Sequence, residues 1–303
     1  MTKHELDDVK RTIETQFPGI GLLSVESLGE GYRNYALLVN GEWVFRFPKS
    51  QQGADELHKE IQLLPLLASR LNVGIPVFEF VGRQNDGRPF VGYRKVQGEI
   101  LGENGISSLS GEASQRLAAQ LAAFMHALGE FPVETAIAAD VPVRNLNHEV
   151  LELLESAKIE AFPVLPESLQ HYIARRCQTY LDDPPYSEYT PALIHGDLSP
   201  DHFLTDPSKT ALTGIIDFGD AAISDPDYDY VYLLEDCGET FTRQVMTCRG
   251  VLNQDALIRK VSFFVTFDQI SYLVEGVRSG EKEWICEALE ILEEDARVNK
   301  DAC

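Results

Sequence analysis

Two polar runs in the second half of the chain hold residue types that can do chemistry. The first is Ala192-Leu193-Ile194-His195-Gly196-Asp197-Leu198-Ser199-Pro200-Asp201-His202-Phe203-Leu204, an acidic loop framed by apolar residues on both sides. Fifteen residues beyond His202 comes Asp217, in Gly214-Ile215-Ile216-Asp217-Phe218-Gly219-Asp220. This run reads as a buried strand that ends in a carboxylate held against a glycine turn. Such a carboxylate calls for a cation, because an unpaired buried charge is expensive. In the first hundred residues, Ser27-Leu28-Gly29-Glu30-Gly31-Tyr32-Arg33-Asn34 joins two apolar runs. Gly29 and Gly31 would let backbone N–H groups approach a phosphate closely. Arg46, in Val44-Phe45-Arg46-Phe47-Pro48-Lys49, is a two-pronged cation suited to the same ligand. Glu60, on the helix that follows, is its natural ionic partner.

The elements that must position these groups follow from periodicity. Residues 5–16 read as a helix, and Leu22–Leu28, Tyr35–Asn40 and Trp43–Phe47 as short strands separated by turns. Leu57, Ile61, Leu64, Leu67 and Leu71 give Asp55–Leu71 helical spacing. Val77–Gly82 and Phe90–Val96 read as two further strands around Gln84-Asn85-Asp86-Gly87. Gly98 marks a joint. Beyond it, 111–128, 146–161, 167–181, 227–235, 254–279 and 282–298 carry helical periodicity, interrupted by loops and short strands from Ala192 to Asp225.

The 303 residues, 44% hydrophobic and 24% charged, exclude a disordered, collagenous or coiled-coil chain. No uncharged apolar stretch is long enough to span a bilayer, and the start MTKHELDDVK lacks a signal-peptide core, so a soluble cytoplasmic protein is expected. The five cysteines are odd in number and form no C-x-x-C pair, which argues against a zinc site or a disulfide framework. Residues 1–97 carry 12 basic and 12 acidic side chains, so the whole net charge of −22 lies in residues 98–303. That field should repel nucleic acid and anionic membranes and concentrate cations.

Taken together, H-G-D-L-S-P-D-H and D-F-G resemble the kinase catalytic loop and its metal motif. In that pattern the first Asp orients the attacking hydroxyl and takes its proton, and the second binds Mg²⁺. The resemblance makes Asp197 the catalytic base and Asp217 a metal ligand, with His202 at the position of the metal-binding Asn. It also places the nucleotide against Gly29, Gly31, Arg46 and Glu60, with Arg94 and Val96 offering hinge backbone and Tyr93 standing at its back. No A-P-E segment or long activation loop follows D-F-G, unlike in protein kinases.

Phe45-Arg46-Phe47-Pro48-Lys49, Ile194-His195-Gly196-Asp197 and Ile215-Ile216-Asp217-Phe218-Gly219-Asp220-Ala221-Ala222-Ile223-Ser224-Asp225-Pro226-Asp227 narrow the likeness. They resemble the aminoglycoside 2″-phosphotransferases, over nearly the full chain. The resemblance implies an α+β, bilobal protein-kinase-like fold. A small antiparallel-sheet lobe (1–97) would bind nucleotide, and a larger, mainly helical lobe (98–303) would carry the catalytic loop, metal site and acidic substrate site. It implies Mg²⁺-dependent transfer of the γ-phosphoryl group of ATP or GTP to a hydroxyl of a polycationic aminoglycoside, conferring resistance. A bulky Tyr93 at the hinge resembles members that favour GTP, and Arg46 replaces the usual Lys. Asp220, Glu235, Asp236, Glu239, Asp268 and Tyr272 resemble the aminoglycoside-binding wall, with Trp284 as an aromatic rim. A monomer is expected.

Two other readings stand beside this one. A kinase for choline, a sugar or a macrolide would use the same loop, with an aromatic cage for choline or a more apolar groove for a macrolide. A non-enzymatic nucleotide-binding module would bind nucleotide without acceptor-dependent turnover. Asp225, Asp227 and Asp229 are spaced like calcium ligands but lack the glycine and distal glutamate of an EF-hand, and are expected to serve helix capping and loop structure.

Overall fold

The computed structural model describes residues 3–31, 33–102 and 105–298. In the N-terminal part, short runs rich in β-branched and aromatic residues pair as antiparallel strands. They are β1 (Val25–Glu30), β2 (Asn34–Val39), β3 (Trp43–Pro48), β4 (Phe78–Arg83) and β5 (Pro89–Arg94), in the order β1-β2-β3-β5-β4. Side chains alternate across β3, so Phe45 and Phe47 face one side of the sheet and Val44 and Arg46 the other. On the first side, Ile13 of α1 (Lys3–Gln16) joins Phe45, Phe47 and Phe90 in a buried cluster. On the second, Leu57 of α2 (Gln51–Leu67) packs with Val44, Val91 and Tyr93.

Several boundaries differ from the periodicity reading, four of them for a local hydrogen-bonding reason. Leu23 and Ser24 give their N–H groups to the Asn40 side chain, so β1 starts at Val25. The Ser50 side chain accepts the Gly53 N–H and caps α2 four residues before Asp55. That helix also ends at Leu67, where Arg70 and Leu71 both turn back onto the Leu67 carbonyl. The Lys95 N–H goes to the Glu42 carbonyl, which closes β5 at Arg94.

The C-terminal part is mainly helical. It runs through β6 (Glu99–Ile100), α3 (Gly111–Gly129), α4 (Val133–Ala138), α5 (Leu146–Glu160), α6 (Glu167–Asp182) and α7 (Pro184–Ser187). The interruption holds β7 (Ala192–Ile194), β8 (Phe203–Thr205), β9 (Leu212–Ile215) and β10 (Ala222–Ser224), and α8 (Val231–Glu235), α9 (Gly238–Cys248), α10 (Gln254–Ser279) and α11 (Lys282–Val298) follow. The short strands form a β10-β7 pair and a β6-β8-β9 sheet. Helix α9 is absent from the sequence reading, although Phe241, Val245 and Met246 give it a buried helical stripe. Residues 227–235 form one 3₁₀ turn and the short α8 rather than a continuous helix.

One core cluster joins α3, through Leu117, Leu121 and Phe124, to Leu193, Leu198, Phe218 and Val245 around the two polar runs. A second gathers α5, α6, α10 and α11. The segment after α2 crosses to β9, where Gly74 donates to Thr213 O and accepts from Ile215 N–H, each at 2.9 Å. Two residues later the strand delivers Asp217. Among the described residues, no helix is long and apolar enough to cross a membrane.

Candidate active site

Strand β7 delivers His195-Gly196-Asp197 into a turn secured from beneath. The buried Asp229 carboxylate accepts the His195 N–H at 3.0 Å and the Gly196 N–H at 2.8 Å. Burial lifts the Asp229 pKa to about 6, opposed by those two bonds. Asp229 therefore clamps the Asp197 loop, a role more specific than the general capping expected of the aspartate run. Asp225 and Asp227 instead bind the buried Lys260 at 2.6 and 2.8 Å. Gly196 sits at φ +84°, and a Cβ there would lie 2.4 Å from the Asp220 carbonyl oxygen, so only glycine fits.

Two imidazoles brace the loop. His195 is fully buried, its Nε2 3.2 Å from Ile216 O and its Nδ1 accepting the Asp197 N–H at 3.3 Å. Burial first, then His202, push its pKa down to about 3, so it is neutral. His202 Nδ1 lies 3.0 Å from the Asp197 carbonyl, which places a proton on Nδ1 and, in the neutral ring, makes Nε2 the acceptor. That Nε2 is 3.8 Å from Asp217 Oδ2. One cation can bridge an oxygen and a nitrogen so placed. Among the described residues, no group of three or more His, Cys, Asp or Glu forms a metal cage. Further ligands would have to come from nucleotide or water.

Asp217 sits at φ +64°, in the left-handed region. The next side chain, Phe218, is fully buried against the His195 ring at 4.6 Å and anchors the turn. Burial opposes the Asp217 charge, but the neighbouring Arg46 guanidinium above all outweighs it and holds the pKa below the usual carboxylate range. Arg46 reaches Glu60 at 2.7 Å and Asp217 at 3.4 Å. The expected pair Arg46 and Glu60 is buried, and Arg46 extends it to the half-exposed Asp217, so one charge chain runs from β3 through α2 to the Asp217 turn.

Three residues that sequence reasoning missed extend this chain. Arg33, beside the glycine loop, binds Glu56 at 2.5 Å and Asp220 at 3.0 Å. Lys59 is buried and donates to the Gly219 and Ala221 carbonyls at 2.5 and 2.7 Å. The one available cue was spacing: Glu56, Lys59 and Glu60 stand at i, i+3 and i+4 and share a helix face.

Gly29 lies at a register shift in the β1–β2 ladder, and Gly31 follows β1. A Cβ on Gly29 would meet nothing within 4 Å, and one on Gly31 only the Asn34 carbonyl at 3.7 Å, so that side of the hairpin is open. Tyr93 is buried against Phe78 and senses Arg46 and Glu60. The Arg94 guanidinium stacks on Trp43, 4.4 Å from the ring centroid, and pairs with Glu42 and Glu79. The Val96 side chain fills the space over Gly74 and Gly214.

Acidic and aromatic groups gather on the other side of Asp197. Burial raises the Asp197 pKa to about 6; His202 opposes this, and Asp220, Asp217 and Asp236 add to it. Asp268 accepts the Tyr228 hydroxyl at 2.5 Å and is pushed up to about 7, first by burial and with smaller contributions from Glu235 and Asp197. Tyr272 feels Asp268, Asp197 and Glu235, and Trp284 meets its ring edge-on at 6.4 Å. Gln269 donates to Glu235 at 2.9 Å. Two expected wall residues are engaged elsewhere. Asp220 is bound by Arg33 at the glycine loop, and Glu239 pairs with Arg243 on α9, which also holds Asp255.

Residues 24–253 match the model of the phosphotransferase enzyme family. The chain belongs to that family. It is a kinase-type phosphotransferase. A solved GDP complex of wild-type aminoglycoside 2'-phosphotransferase-IIIa is 63% identical over 96% of this chain and 98% of that one, with a TM-score of 0.93. A GDP and kanamycin complex of APH(2″)-IIIa is 64% identical over 96% and 99%, also with a TM-score of 0.93. The viomycin phosphotransferase of Streptomyces vinaceus is 23% identical over 84% of this chain and 88% of its own. In this phosphotransferase the glycine loop, the Arg46–Glu60–Asp217 chain and the Asp197 loop therefore stand on the architecture that the sequence motifs implied.

Proposed function

We propose that this phosphotransferase moves the γ-phosphoryl group of GTP or ATP to the 2″-hydroxyl of an aminoglycoside, and so confers resistance. The observation that carries the reading is the position of Asp197, between the Arg46–Glu60–Asp217 chain on one side and the Asp236, Asp268 and Tyr272 wall on the other. Relatives at 63–64% identity bind GDP, and one binds kanamycin, which supports guanine nucleotide as donor and a polycation as acceptor. The buried Tyr93 fits the same donor choice.

Residues 1–97 would form the nucleotide lobe and residues 98–303 the catalytic and acceptor lobe. Gly29 and Gly31 would lay backbone over the phosphates, and the backbone of Arg94 and Val96 would meet the base. Arg46, fixed by Glu60, would contact phosphate with two donors. Asp217 and His202 fit Mg²⁺, since an ionised carboxylate faces a ring nitrogen that can ligate in the neutral imidazole, and water and phosphate oxygens can complete the shell. Mg²⁺ bound there supplies charge neutralisation of the donor phosphates. Asp197 orients the acceptor hydroxyl and takes its proton, while Glu235, Asp236, Asp268, Tyr272 and Trp284 hold the ammonium-bearing rings. Glu239 would join them by exchanging its Arg243 partner, and Asp220 would mark the edge of that wall. The enzyme would act as a cytoplasmic monomer.

The test measures nucleoside diphosphate release with Mg²⁺, GTP or ATP, and kanamycin, choline or a macrolide as acceptor. Kanamycin-dependent release is expected, lost by roughly a hundredfold or more in Asp197→Ala with nucleotide affinity nearly intact. Asp217→Ala should weaken Mg²⁺–nucleotide binding as well. Wild-type turnover in Asp197→Ala, or release with choline or a macrolide alone, would overturn the reading.

A further inference from the structure

Phosphoryl transfer as described above makes no use of Lys59. This residue is only 6% exposed, yet it carries an ammonium group into the junction between α2 and the turn after Asp217. Burial lowers its pKa, opposed by Glu60, Asp220 and Glu56. Its Nζ bonds the Gly219 carbonyl at 2.5 Å and the Ala221 carbonyl at 2.7 Å. The chain folds back there because the Ala221 N–H bonds the Phe218 carbonyl at 3.1 Å. Buried carbonyls require donors. One ammonium with three rotatable donors serves both at once.

The adjacent residue on α2 acts on the same turn from its other end. Glu60 holds Arg46, and Arg46 reaches the Asp217 carboxylate. Asp217 has φ +64°, a backbone state disfavoured for a residue with a Cβ and kept only where the surroundings impose it. Phe218 anchors one side of the turn in the core. Lys59 is the polar anchor on the opposite side.

We propose that Lys59 is a positioning residue: by tying the Gly219 and Ala221 carbonyls to α2, it holds the Asp217 carboxylate where a nucleotide-bound metal meets it. The inference rests on the reading of Asp217 as a metal ligand. Glu56, Lys59 and Glu60 then make one face of α2 a bar that fastens the glycine-loop Arg33, the metal turn and the phosphate-side Arg46 together.

The test is calorimetric titration of GDP into the purified full chain with and without Mg²⁺. Wild type should bind GDP more tightly when Mg²⁺ is present. Lys59→Met should keep its metal-free GDP affinity and lose about tenfold of the Mg²⁺-dependent gain, the scale on which residues behind a metal ligand act. Lys59→Arg should recover part of that gain. Ile173→Val in α6 serves as a control that lowers the melting temperature and leaves the gain whole. If Lys59→Met does not fold, Lys59→Gln, with two donors on a neutral stem, carries the same test and should lose part of the gain. A full gain in the folded Lys59 variant, beside its loss in Asp217→Asn, overturns the role of Lys59 alone. A full gain in Asp217→Asn as well overturns the metal reading itself.

Discussion

The Asp229 carboxylate, 4% exposed, accepts the Gly196 N–H at 2.8 Å, and its second oxygen takes the N–H of His195. A buried acceptor therefore shapes the backbone that presents Asp197. In Asp229→Ala both N–H groups lose their partner inside the core, at a cost of roughly 1–3 kcal/mol each. Urea unfolding should show a stability loss of about 2–6 kcal/mol, with lower kcat in the fraction that stays folded. An unchanged midpoint would exclude the clamp.

Gly196 meets two constraints, a left-handed φ and the Asp220 carbonyl 2.4 Å from where a Cβ would stand. In Gly196→Ala the Asp197 loop must shift away from the Asp220 turn. A displacement near 1 Å costs on the order of a hundredfold in rate. Steady-state kinetics should show that loss in kcat while nucleotide affinity changes little.

Glu60 is fully buried, and Arg46 is its guanidinium partner. In Arg46→Met an uncompensated carboxylate remains, which destabilises by about 3–5 kcal/mol. Arg46→Lys keeps the charge as a single point that cannot span Glu60 and Asp217 together. Denaturant melts should place Arg46→Lys between wild type and Arg46→Met, with GTP affinity reduced.

Asp268 titrates near 7 in the folded protein because burial disfavours its charge. Its ordinary value is near 4. The folded state binds the proton more tightly than the unfolded chain, so this contribution to stability is complete below about pH 4 and lost as pH rises through about 7. Asp268→Asn removes the titration and keeps an acceptor for the Tyr228 hydroxyl. Thermal melts from pH 5 to 8 should show the wild type losing stability relative to Asp268→Asn as pH rises. Parallel curves would refute the assignment.

The loops of the candidate site were legible because the chemistry proposed for them depends on residue type at short spacing. H-G-D and D-F-G each lie within a few residues, and Arg46 and Glu60 sit on adjacent elements. Helices α10 and α11 follow apolar periodicity and have the residue limits read from the sequence. Helix α9 was hidden because it begins in the acidic stretch Asp236–Glu239, which reads equally well as a ligand-binding surface. Glu239 belongs to that helix and forms an i, i+4 pair with Arg243.

By itself, the sequence determined the reaction class, the kinase-like fold of a small sheet and a helical part, and the polar runs that carry the candidate site, since each rests on local order along the chain. Only the tertiary structure decided what holds those groups. Lys59 meets carbonyls of Gly219 and Ala221, Arg33 meets Asp220, and Asp229 meets Gly196, in contacts that join residues 33 to 187 positions apart. It also decided that Asp268 is buried and that Asp220 is already paired. Burial and pairing depend on what the fold brings alongside, and a linear pattern records neither.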